Sequence, residues 1–175
     1  MIKSLIFFLI TFVYSSVVYG INLVVIDVNF LINNSKQFIE ISENINQSQK
    51  IYTDKFTNIE KNLLKKKEEL ENLKLIINEN EFNLKKEDYY KEVEEFENIV
   101  FKFNNHYENE ILKIKNMIFT HIIELTQEYA VINKIDLILD KNQYLIASDN
   151  INITDKIFNQ LNESNIDLNF KDFDD

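Results

Sequence analysis

INQSQKIYTDKFTNIEKNLLKKKEELENLKLIINENEFNLKKEDYYKEVEEFENIVFKFNNHYENEILKIKNMIFTHIIELTQEYAVI, residues Ile45–Ile132, contains no Gly and no Pro, and its apolar residues recur at steps of three and four. In the first half Phe56, Leu63, Leu70, Ile77 and Leu84 fall seven apart. Ile45, Tyr52, Ile59 and Leu73 fill the intervening line, with Lys66 and Asn80 as its polar members. These are the a and d positions of a heptad, the period that lets one helix bury a stripe against another. The second half has another beat. Val93, Phe96, Val100, Phe103, Tyr107, Ile111, Ile114, Ile118, Ile122, Leu125, Tyr129 and Ile132 include consecutive steps of four around Tyr107 and Ile118. A rhythm of that kind is an eleven-residue repeat, which straightens or reverses a supercoil.

Two rhythms predict two helices folded back on each other. The break is expected near Asn78–Asp88, where NENEFNLKKED holds three Asn among mostly charged neighbours. Asn tolerates the left-handed conformation and caps helices, so it can make this turn without Gly. Each arm would span about 35–45 residues, roughly 50–65 Å. The competing arrangement is one continuous coiled-coil rod that dimerises.

The composition narrows the partners. Of 175 residues, 19 are Lys and none Arg, against 29 Asp and Glu, for a formal net charge of −10. Nucleic acid is not expected as a partner, because phosphate binding needs a basic face. Simple adhesion to anionic lipid is disfavoured for the same reason. Cysteine is absent, which excludes disulfides and cysteine-based zinc sites or nucleophiles.

Residues 1–20 read as a signal peptide: Lys3 supplies a positive start, LIFFLITFVY (Leu5–Tyr14) is a continuous apolar run, and Val18 and Gly20 precede the expected cleavage point. The alternative is an uncleaved anchor, for which this apolar core is short. Leu23–Val28 is rich in β-branched residues and is expected as a buried strand. A short helical turn through Phe30, Leu31 and Phe38 follows, with Asn33–Ser35 as a loop or cap. Beyond the hairpin, Leu137–Leu139 and Tyr144–Ala147 are two apolar runs separated by DKNQ. They predict a β-hairpin in which Asn142 takes the positive φ. Thr154 is expected to cap a short amphipathic helix through Ile157, Phe158 and Leu161. The tail from Asn165 is acidic and expected to fray. The domain division is thus 1–20 signal peptide, 21–44 and 133–165 β-rich oligomerisation body, 45–132 helical arm, and 166–175 acidic tail. Three short strands are marginal alone, so the body should need oligomerisation to complete a core.

The order of these parts resembles the Skp/OmpH family of periplasmic chaperones over about Leu23–Asn162. The resemblance rests most on LVVIDV (Leu23–Val28), IDLILDKN (Ile135–Asn142) and ITDKIFNQLN (Ile153–Asn162). It implies an α+β, mainly α fold, with a long antiparallel helical hairpin on a small β-rich trimerisation body. It also implies a homotrimer whose arms enclose a cavity for unfolded outer membrane proteins, held without ATP and without a cofactor. By resemblance the body is built on Leu23, Val25, Val28, Leu137, Leu139 and Leu145. One departure stands out: well-known members have basic arms, whereas here only KKKEELENLK (Lys65–Lys74) is markedly Lys-rich. That leaves membrane contact open.

Independently of family, the arms carry apolar residues that a two-helix seam does not need: Leu64, Leu75, Phe82, Tyr89, Tyr90, Phe101, Leu112 and Phe119. Such a face can pack another helix or remain available to apolar clients. Catalysis and metal binding find no support. His106 and His121 lie in no ligand cluster, Asp27 and Asp140 suit capping hydrogen bonds at strand ends, and paired acids such as Glu94–Glu95 belong to solvated helix faces. Four N-x-S/T sequons (Asn33, Asn46, Asn152, Asn162) are what an Asn-rich chain produces by chance. The alternative function is a structural or adaptor coiled-coil protein of the cell envelope.

Overall fold

A computed structural model describes residues 20–174; the expected signal peptide lies almost wholly outside them. The chain runs β1 (Leu23–Ile26), α1 (Val28–Asn34), α2 (Lys36–Leu73), α3 (Glu79–Asn133), β2 (Leu137–Asp140) and α4 (Thr154–Glu163), with short 3-10 turns at Lys141–Gln143 and Asp149–Ile151. The architecture is mainly α: a long helical hairpin, α2 against α3, on a small body with one strand pair.

The body is built by capping. The strand ends at Ile26 rather than Val28, because Asp27 becomes the N-cap of α1 and accepts from Phe30 N–H at 2.9 Å. Burial pushes the Asp27 carboxyl up, but the Lys141 ammonium at 2.7 Å and the Phe30 N–H outweigh it and hold it below the ordinary range. Asp140 does a matching job, accepting from Val28 N–H at 3.1 Å. Ser35, fully buried, caps α2 by accepting from Phe38 N–H at 3.3 Å and donating to Ile32 O at 3.1 Å. Phe38 therefore belongs to α2, which begins at Lys36 rather than Ile45.

The two strands pair parallel, Leu23 with Leu137 through Ile26 with Asp140, and the whole hairpin is their crossover. The expected β-hairpin does not form. Lys141–Gln143 is a 3-10 turn capped by Asp140, and Tyr144–Ala147 pairs with no described strand. Reversing a ladder in two residues calls for positive φ, and Asn142 does not supply it: Lys134, at φ 52°, is the positive-φ residue among those described. There it closes α3, its N–H reaching the carbonyls of Ala130 and Val131. The Asn22 amide nitrogen covers two more end carbonyls, Lys134 O at 2.9 Å and Asn133 O at 3.2 Å. Thr154 is not the cap of α4. Ile153 holds that position, Asn152 Oδ1 accepts from Thr154 N–H, and the Thr154 hydroxyl accepts from Asp27 N–H at 2.9 Å.

The arms are unequal, 38 residues in α2 and 55 in α3, or about 57 and 83 Å at 1.5 Å per residue. The reversal is at Lys74–Asn78, so Glu79–Asp88 is helical rather than turn. Asn78 caps α3, its Oδ1 accepting from Glu81 N–H at 3.0 Å while its amide donates to the Glu81 carboxylate at 3.1 Å. Glu79 and Glu81 in the first turn favour the helix dipole. Ile77 falls in the turn and Leu84 is exposed, which removes both from the expected seam. Elsewhere, apart from Ile59 and Ile132, the seam is as the periodicity placed it. Ile45, Tyr52 and Leu63 are buried from α2, and Phe103, Tyr107, Ile114, Ile118 and Ile122 from α3. Lys66 meets Glu92 across the hairpin at 2.6 Å. Ile59 and Ile132 are exposed.

Candidate client-binding surfaces

Three apolar surfaces remain uncovered or lightly covered, and each follows from helix geometry. The first runs along α3. Tyr90, Phe101 and Leu112 are spaced by eleven residues, about three turns, so they stand in line. Phe119 extends the same row, and all four are exposed, Phe101 at 65%. Glu94, Glu97 and Glu108 interleave them and are exposed too, making an apolar row within an acidic frame. Leu64 is exposed on the opposite arm and Leu75 is 93% exposed at the reversal, beside exposed Ile76. Phe82 and Tyr89 are half-buried near the tip, where the Tyr89 and Tyr90 rings meet tilted, 5.5 Å between centroids.

The second surface is at the base. Leu145 and Ile146 are fully or nearly fully exposed, at 101% and 91%, with Val131, Ile132 and Leu137 exposed as well. Of the residues expected to build the body, Val25 is in the core of the chain itself. Leu23, Val28 and Leu139 are half-buried, and Leu137 and Leu145 face outward.

The third surface is a groove where α2 and α3 meet, and the tail lies in it. The tail does not fray. Ile166, Leu168, Phe170 and Phe173 pack against the core, while Asn165, Asp167, Asn169 and Lys171 face water. That alternation sets one edge of the segment down, with a tight turn at Asp167 where Leu168 N–H donates to the Ile166 carbonyl at 3.0 Å. Phe173 sits among Tyr52 (5.6 Å between ring centroids), Phe103 (5.5 Å) and His106 (5.8 Å), edge-on to each, the arrangement aromatic quadrupoles favour. The Asp172 carboxylate accepts from the hydroxyls of Ser48 and Tyr107, the latter at 2.6 Å. These two donors hold Asp172 below the usual carboxylate range. Burial and the neighbouring carboxylate push the Tyr107 phenol up, keeping it a donor. The backbone of Lys171 is held at both ends: its N–H donates to Glu110 at 3.1 Å, and His106 Nε2 lies 2.8 Å from its carbonyl. Sequence reasoning missed this groove. The available signal was Ile, Leu and Phe at every second position of an acidic tail, which a frayed segment does not need.

His106 is thereby engaged by the tail, and His121 Nδ1 lies 3.1 Å from Glu124 on its own helix. Among the described residues no three His, Cys, Asp or Glu cluster as metal ligands. No described helix is long and apolar enough to cross a membrane.

The sequence profile of the OmpH-like outer membrane protein family matches residues 22–161. The chain belongs to the Skp/OmpH family. Its fold is that of a protein from Caulobacter crescentus CB15 described as an OmpH-like outer membrane chaperone. The two agree at a TM-score of 0.70 with 12% identity, over 83% of this chain and 86% of that one. No curated protein matches the sequence. The OmpH-like match stops at Leu161, so the docked tail lies beyond it.

Proposed function

We propose that this Skp/OmpH chain is an ATP-independent holdase chaperone of the periplasm. It binds unfolded outer membrane proteins in a cavity between helical arms and prevents their aggregation; it is not an enzyme. The observation that carries this reading is the exposed row Tyr90, Phe101, Leu112 and Phe119 inside its acidic frame. A holdase needs many adaptable contacts of low specificity, and aromatic side chains make large contacts at small rotamer cost. Leu64, Leu75, Phe82 and Tyr89 complete the client-contacting set.

The assembly proposed is a homotrimer built through the base. The outer edge of β1 is bridged at Val25, where Asn152 pairs with it and Ile153 N–H donates to its carbonyl at 2.9 Å, so β2 offers the open edge, and Leu145 and Ile146 are apolar and uncovered. A strand from another copy would cover them. Residues 1–20 would direct export as a cleaved signal peptide. The acidic arms make nucleic acid an unsuitable partner and leave lipid contact to the Lys-rich stretch Lys65–Lys74.

Light scattering on the chain from Ile21 onward, alone and with an outer membrane β-barrel protein diluted from urea, tests the reading. A trimer that keeps the barrel protein soluble in a defined complex without nucleotide supports it. A monomer or dimer that lets the client precipitate overturns it in favour of a structural coiled coil.

A further inference from the structure

We propose that the groove holding Ile166–Phe173 is an exchangeable peptide site. The chain's own tail occupies it in the free protein, and extended segments of an unfolded β-barrel client displace it. The inference rests on the holdase reading for its client and on the tail's seating for its chemistry.

The groove recognises features many segments share. Glu110 and His106 hold the backbone N–H and carbonyl of Lys171, groups that every residue except proline presents. Ile166, Leu168 and Phe170 enter by alternation alone. Only the far end is selective: an aromatic ring among Tyr52, Phe103 and His106, next to a carboxylate held by Ser48 and Tyr107. An extended stretch with apolar residues at every second position and an aromatic end is the sequence pattern of a transmembrane β-strand. The tail shares the alternation over Ile166, Leu168 and Phe170 and ends on an aromatic, Phe173, three residues further on, without being a strand of any described sheet. It lies outside the family match.

A tethered segment competes at an effective concentration on the order of 1 mM. A free peptide that binds the emptied groove with a Kd near 100 µM would therefore bind the wild-type chain about tenfold more weakly. The test uses the full chain, wild type and the double variant F170S/F173S, whose substitutions fall in the tail and leave the arm seam intact. The probe is a fluorescent peptide of sequence NIDLNFKDFD, read by anisotropy. The expected result is binding to the double variant about tenfold tighter than to wild type. A strand peptide with alternating apolar residues should compete, and a scrambled version should not. Adding Y107F, which removes a hydroxyl that holds Asp172 and keeps the ring, should weaken peptide binding severalfold. Equal binding to both chains, or none to the double variant, overturns the proposal and makes the tail a fixed strap. Peptide exchange is measured without any holdase assay. If wild type fails to hold a barrel protein while the emptied groove binds peptide, the holdase reading fails and the groove stands. If the client is held equally by both chains and no peptide binds, the reverse is true.

Discussion

Asp172 docks through its ionised form, because two hydroxyls donate to it. Its docked value is lowered from an ordinary 3.8, so this contribution is complete above the ordinary value and is lost as pH falls through the docked one. The Asp172 contribution to tail docking should therefore be flat from pH 7 to about 5 and fade only in stronger acid. D172N should loosen the tail severalfold at pH 7 and remove the share of the acid dependence that Asp172 supplies. Hydrogen exchange at the Lys171 and Phe173 amides measures both, and unchanged exchange in D172N would contradict the role given to the carboxylate. Lys134 makes a different case. A side chain at φ 52° costs about 1–2 kcal/mol in the left-handed conformation, against roughly 0.5–1 kcal/mol of extra entropy lost by Gly. K134G should stabilise the chain by about 0.5–1 kcal/mol, read as a rise in urea midpoint at constant slope.

Within the single helix α3, seam and surface part company. Ile118 is wholly buried against α2 and the body, whereas Phe119, next in sequence, is exposed. I118A should cost about 2–5 kcal/mol, the transfer term plus a cavity. F119S should stay within about 0.5 kcal/mol in stability yet reduce client retention, and still more when combined with F101S. Urea unfolding and the β-barrel solubility assay separate the two effects. The turn between the helices carries a lesson about caps. Sequence periodicity predicted a reversal across Asn78–Asp88, but Asn78 is the N-cap of α3 and the Glu residues after it reinforce the helix. The same Asn-rich string that resembles a loop is a start signal once its first residue is spent as a cap.

For the whole molecule, the exposed base is the proposed assembly surface. Leu145 and Ile146 are left almost fully exposed by the described residues, and a patch of that kind marks an interaction surface. L145D/I146D should leave helix content unchanged and convert the expected trimer to monomer in light scattering. A trimer that persists would place the interface elsewhere. The net charge of −10 works against close approach of arms, so higher salt should tighten the assembly rather than loosen it.

Sequence alone determined what is local. The 3–4 periodicity marked α2 and α3 and most of their seam, the β-branched residues within Leu23–Val28 marked β1 with two residues too many, and the end motifs marked the family. It also picked Asp27 and Asp140 for capping hydrogen bonds, which they make. Tertiary structure decided what depends on distant partners. Leu137–Leu139 was legible as a strand, but the parallel pairing of β2 with β1 joins residues more than a hundred positions apart, and no local signal encodes that choice. The exposed row of α3 was legible as a list of residues left over from the seam, whereas the groove was not. The groove exists only where Tyr52 of α2 meets Phe103 and Tyr107 of α3. It turns an acidic tail, soluble by composition, into a docked extended segment because buried aromatic surface and two hydroxyl donors outweigh the entropy of ordering it.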